Sequence, residues 1–225
     1  MTVSMPSANS PGSSVSKKTK SPLLVPARIK PAAVTIGAFG AVLVIVQIVN
    51  MAMSYRLNAV GITPRSVGGL WGVLDAPLLH GSWGHLLSNL VPLLVFGFLI
   101  LVGGLRQFVA VTVLVWLIAG FGVWLTGPSN SVTVGASVLV FGWLAFLVLR
   151  GFFGRNLGQI LLGLALLAIW GGIFWGLLPG RMGISWQGHL FGALGGALAA
   201  FLVSRADAPR RKQVAPAPTT PALPT

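Results

Sequence analysis

The chain has 225 residues, 55% hydrophobic and only 8% charged, with a mean hydropathy of +0.88. A soluble domain carries about a quarter charged residues, so a soluble globular protein is excluded and an all-α membrane protein is expected. The formal charge of +13 does not point to nucleic acid, because the basic residues flank apolar runs and fill the tails and do not line one stripe. With no cysteine, disulfides, a thiol nucleophile and Cys-based metal sites are also out.

Residues 1–31 are Ser/Pro-rich and basic, without apolar periodicity, and read as a disordered tail. A cleavable signal peptide would bring its apolar region much earlier, so the first apolar run is expected to be a true span. Six apolar segments follow, at roughly 32–53, 83–102, 107–126, 135–150, 157–178 and 187–204. At about 1.5 Å per residue these suit a ~30 Å hydrocarbon core. The fourth is short, so a polar residue at its start is expected to lie below the membrane surface. The 54–82 connection is long and aperiodic, and residues 206–225 form a second disordered, Pro/Ala-rich tail. The membrane domain is therefore 32–205.

Charge asymmetry sets the orientation. With both termini cytoplasmic, twelve of the fifteen Lys and Arg lie inside, and only Arg56, Arg65 and Arg181 lie outside. Trp83, Trp124, Trp175 and Trp186 then fall near outer helix ends, as an interfacial aromatic belt requires. The plasma membrane is the expected location, and segments two, four and six enter from the extracytoplasmic face.

Polar residues collect at the starts of those three segments. His85 opens segment two with Asn89 one turn later on the same face, Ser137 opens segment four, and His189 opens segment six. His80 lies in the loop just before segment two. Polar groups at membrane depth are costly and tend to be functional. Serine beside histidine is the pattern of an activated nucleophile, the imidazole taking the hydroxyl proton and returning it to the leaving amine. The acids are Asp75, in the outer loop, and Asp207, in the tail, so the expected arrangement is a Ser137–His189 dyad and not a triad. A helix start adds unpaired N–H groups and positive dipole for an oxyanion, with His85 and Asn89 as further donors.

Plainer roles exist for each residue. Ser137 can cap its own helix, His85 and Asn89 can be interhelical polar contacts, and His80 can line a cavity, order water or sit at the interface. Three histidines can in principle bind zinc, but no H-E-x-x-H pattern occurs and both acids lie outside the cluster, so no metal and no cofactor are expected. Gly188, Gly192 and Gly196 recur every four residues, a stripe that lets segment six approach a neighbour closely beside His189. The stripe does not identify the neighbour.

Across the six-helix core, from about 32 to 205, the chain resembles the rhomboid family of intramembrane serine proteases. The resemblance is carried by His80-Gly-Ser-Trp-Gly-His85-Leu-Leu-Ser-Asn89, by Gly135-Ala136-Ser137, and by Gly188-His189-Leu-Phe-Gly192-Ala-Leu-Gly195-Gly196. It implies a six-transmembrane-helix rhomboid-like bundle, Ser137 as nucleophile and His189 as base. It also implies His85, Asn89 and the Ser137 N–H as oxyanion donors, a water-filled cavity open to the outside, and membrane-protein substrates cut near the outer ends of their helices. Two positions depart from the family pattern. Val138 stands where a Gly usually follows the nucleophile, and its branched side chain is expected to narrow the cavity or stiffen the turn and so lower activity. Phe141 stands where many relatives have Tyr, keeping the ring that packs on the base. The rival readings are a catalytically impaired rhomboid-like protein that binds membrane helices, which Val138 alone favours, and a transporter. A transporter would show polar residues along a path through the bilayer or repeats with broken helices, and neither is present in the sequence.

Overall fold

Short polar caps start three of the helices. Ser82 accepts the His85 N–H at 3.0 Å and starts α3, Trp83–Val102. Asn156 accepts the Gln159 N–H at 3.0 Å and starts α6, Leu157–Trp170. Ser185 accepts the Gly188 N–H at 3.2 Å at the start of α7, Trp186–Val214. Each such cap supplies a partner for an orphan first-turn donor, an effect of about 1 kcal/mol. The remaining helices are α1, Pro26–Ala52, the single turn α2, Gly72–Asp75, α4, Leu105–Thr126, and α5, Ser137–Phe153. These elements come from a computed structural model, which describes residues 26–180 and 183–214.

Among the described residues, five stretches are long and apolar enough to cross a bilayer: Arg28–Ala52, Trp83–Val102, Leu105–Thr126, Leu157–Leu177 and Trp186–Asp207. The fourth of these joins α6 to a 3-10 helix at Gly171–Leu177. The sixth apolar helix, α5, has only 17 residues, about 25 Å of rise. It is apolar all round, and every residue from Val138 to Val148 is buried, the signature of a helix surrounded by others. Trp143 and Phe146 on α5 and Phe96 on α3 are the largest fully buried side chains. The protein is thus a multi-pass, all-helical membrane protein built around α5.

The partner of the glycine stripe is α5, whose contact with α7 is the most extensive among the described elements. A Cβ on Gly192 would collide with the Val138 carbonyl, and one on Gly196 with the Gly142 carbonyl. Backbones this close admit no side chain between them. The α5–α7 contact therefore sets the relative position of the two helix starts.

Three features extend or differ from the sequence expectation. The 54–82 connection contains α2 and 3-10 turns at Arg56–Val60, Gly68–Leu70 and Ala76–Leu78. Its order comes from hydrogen bonds and from a small buried apolar cluster of Ile62, Val73 and Ala76 packed with Val123 of α4. Ile62 and Thr133 exchange two backbone bonds of 3.0 Å, and the Trp116 and Trp124 indoles donate to the Val73 and Ser66 carbonyls at 2.7 and 2.8 Å. Trp124 is therefore a strut for this loop as well as an aromatic near a helix end. Second, α7 continues to Val214, past the boundary expected at 205. Third, α1 begins at Pro26, inside the segment read as tail. Residues 1–25 and 215–225 of the tails, and Arg181, lie outside the described residues.

Candidate active site

Ser137 is the first residue of α5, and its hydroxyl does not cap the helix: the cap position is Ala136, without a side-chain bond. The Ser137 Oγ instead lies 3.0 Å from His189 Nε2. On the other side of the ring, His189 Nδ1 is 2.9 Å from the Gly176 carbonyl oxygen. A carbonyl only accepts, so Nδ1 carries the hydrogen and Nε2 presents its lone pair to the serine hydroxyl. That is the tautomer a general base needs. Phe141, one turn along α5, stacks on the imidazole with centroids 4.0 Å apart and planes within 9°. The Phe174 ring meets Phe141 edge-on. A backbone acceptor and an aromatic wall thus fix the ring, with no carboxylate. Neither acid is among the buried polar groups, and Asp207 pairs with Arg150 at 3.2 Å.

The loop entering α5 is tied to the outer connection by consecutive donors. The Gly135 N–H goes to the Ala76 carbonyl at 2.8 Å, and the Ala136 N–H to His80 Nε2 at 3.2 Å. The next N–H, that of Ser137, has no partner among the described residues and is a free first-turn donor. Gly135 has φ +129°, and a Cβ there would stand 2.7 Å from His85 Cε1 and 2.8 Å from its Nε2. Glycine is needed twice over, for the backbone angle and because the His85 ring occupies the space. His85 therefore sits directly above the turn that delivers the nucleophile. Asn89 is buried, and its amide donates to the His85 carbonyl at 2.9 Å, leaving its second hydrogen for another acceptor.

His85, Asn89, Ser137 and His189 share one cavity of about 290 Å³, with Ser88 and Phe141 also in its wall. A neighbouring cavity of about 460 Å³ shares His85, Val134, Gly183, Ile184 and Ser185 with it. A further cavity, about 760 Å³, lies among Arg28, Arg106 and Asp207 at the opposite ends of the helices and takes no part in this chemistry.

Val138 does not line the cavity that holds Ser137, which corrects the expectation that it narrows the site. Its Cγ1 points at α7, 3.1 Å from where a Gly188 Cβ would be, because the next helical position is rotated about 100° from Ser137. Val138 is not among the positive-φ residues, so the turn does not require glycine there. A Cβ at Gly188, Gly192 or Gly196 would meet Val138 or Gly142 of α5.

His80 is fully buried. Burial, reinforced by the neighbouring His85 ring, pushes its pKa down to about 4, and the Leu78 carbonyl offsets part of this without a well-aligned hydrogen bond. Sequence reasoning missed the Gly176 and Ala76 carbonyls, since a backbone acceptor leaves no mark on residue type. It also missed Asn50, fully buried on α1, whose amide reaches the His80 carbonyl at 3.3 Å.

Comparison with known proteins bears on this site. Residues 67–206 match the family described as "Rhomboid domain". Proteins of Mycobacterium tuberculosis and Mycobacterium bovis, both described as uncharacterized, are 46% identical over 186 residues, 79% of this chain and 76% of theirs. One of Mycobacterium leprae, also described as uncharacterized, is 43% identical over 187 residues, 80% of this chain and 73% of its own.

Proposed function

The chain belongs to the rhomboid family, and on that premise we propose that it is an intramembrane serine endopeptidase working through a Ser137–His189 dyad. The observation that carries the reading is the pair of contacts on one imidazole, Ser137 Oγ at 3.0 Å and the Gly176 carbonyl at 2.9 Å. Ser137 Oγ attacks the scissile carbonyl carbon as its proton passes to His189 Nε2. The resulting oxyanion is received by the Ser137 N–H, the His85 ring and the Asn89 amide, the donors that face the same cavity. The C–N bond then breaks as the amine takes the proton from His189. Water, deprotonated by the same nitrogen, releases the acyl group from Ser137 and restores the serine. The imidazolium is stabilised between these steps by the Gly176 carbonyl, in the role that a carboxylate plays in a triad.

The six apolar helices are read as six spans, with both termini cytoplasmic and the tails carrying inside charge. The site then faces the extracytoplasmic side of the plasma membrane, at the start of the short α5 and below the surface. Substrates are membrane proteins whose helices unwind near their outer ends. Cleavage of a transmembrane reporter by the purified protein in detergent tests the reading. Wild type is expected to cut it, with Ser137→Ala and His189→Ala each lowering the rate by about 10⁴-fold or more. A Ser137→Ala protein that cuts at the wild-type rate would refute the assignment.

A further inference from the structure

His80 is a buried titratable group that the dyad mechanism leaves without a task, yet it touches both halves of the oxyanion-binding apparatus. Its Nε2 accepts the Ala136 N–H at 3.2 Å, and its ring meets the His85 ring edge-on, with centroids 5.1 Å apart and planes at 69°. Its own backbone is anchored from elsewhere: the His80 carbonyl accepts from Asn50 at 3.3 Å and from Asn58 at 3.5 Å. Asn50 also bonds Asn58 at 2.9 Å and accepts the Leu57 N–H at 3.2 Å, so the end of α1 and the outer connection hold His80 together.

From this geometry we propose that His80 is a positioning residue for the oxyanion hole, clamping the turn that presents the Ser137 N–H and bracing the His85 ring. The inference rests on the protease reading above. Occupying the Ala136 N–H fixes the peptide immediately before the nucleophile, and with the Gly135–Ala76 bond it aims the next donor into the cavity. Only a neutral imidazole with a free Nε2 lone pair can accept that N–H. No substrate contact is required, since the ring is fully buried.

Three variants test this in kinetics on the transmembrane reporter, with thermal unfolding measured alongside. His80→Leu keeps bulk and removes the acceptor. His80→Gln restores an acceptor, because Oε1 reaches as far from the backbone as Nε2 does, whereas the shorter His80→Asn does not reach. His80→Leu is expected to lower kcat by roughly 10- to 100-fold with KM unchanged within about 2-fold, and His80→Gln to recover kcat to within about 3-fold of wild type. Equal kcat losses in the Leu and Gln variants, a change confined to KM, or no change in either variant overturns the role. Should His80→Leu fail to fold, the comparison passes to His80→Asn, which is expected to fall well below His80→Gln; parity between them overturns the proposal. A wild-type protein that does not cleave overturns the protease reading and the His80 role with it, whereas active wild type with an unaffected His80→Leu removes the His80 role alone.

Discussion

Substituting Gly192 by alanine probes how the fold creates the dyad. The added Cβ would collide with the Val138 carbonyl, one residue beyond Ser137, while Gly192 itself is three residues beyond His189. Relief of the collision requires the two helix starts to separate by about 1 Å, a typical overpacking response costing about 1–3 kcal/mol. The Ser137–His189 distance of 3.0 Å would then approach ~4 Å, past the range of a hydrogen bond. A misplacement of that size costs on the order of 10²-fold in rate. The assay pairs reporter cleavage with thermal unfolding in the same detergent, using Gly172→Ala as the control because a Cβ at Gly172 meets nothing within 4 Å. A Gly192→Ala protein with wild-type rate and wild-type Tm would refute the claim that α5–α7 approach positions the pair.

Other outcomes follow from the same geometry. Gly135→Ala meets both a positive φ and the His85 ring, and is expected to cost about 1–3 kcal/mol and most of the cleavage activity, read by the same two measurements. Val138→Gly is expected to raise the cleavage rate by less than about 3-fold and to lower stability by roughly 1–3 kcal/mol through lost helix propensity and a lost packed side chain; a large gain in rate would restore Val138 as a brake. Acid should destabilise the protein through His80. Its pKa of about 4 in the folded protein lies below the ordinary 6.5, so as pH falls below 6.5 the unfolded chain takes up the proton first. Stability present above pH 6.5 is then lost down to about pH 4, by about 3 kcal/mol in total for this group. A pH series of Tm values should therefore be steeper for wild type than for His80→Gln, and parallel curves would contradict the assignment.

Residue type and helix position were enough to bring Ser137, His189, His85 and Asn89 to one site, because each lies in the first two turns of a helix and polar groups stand out in an apolar chain. The small-residue stripe on α7 was legible as a close-packing face. Its partner α5 was not, since small residues announce only that something comes near. The tautomer of His189 depends on the Gly176 carbonyl, and the turn before Ser137 on the Ala76 carbonyl. Both are backbone groups supplied from distant segments. The outer connection read as aperiodic because its order comes from indole and peptide hydrogen bonds to α4 and the 133–136 turn and from a few buried apolar residues without regular spacing. Val138 looked like an obstruction from its position beside the nucleophile, and only the helix rotation shows that its side chain packs towards α7.

The central claim is that Ser137 is a nucleophile activated by His189. Mass spectrometry of the purified protein after fluorophosphonate treatment tests it most directly. A single covalent adduct on Ser137 is expected, abolished in Ser137→Ala and strongly slowed in His189→Ala. A wild-type protein whose Ser137 stays unmodified while it cleaves the reporter, or whose adduct forms equally well without His189, would contradict it.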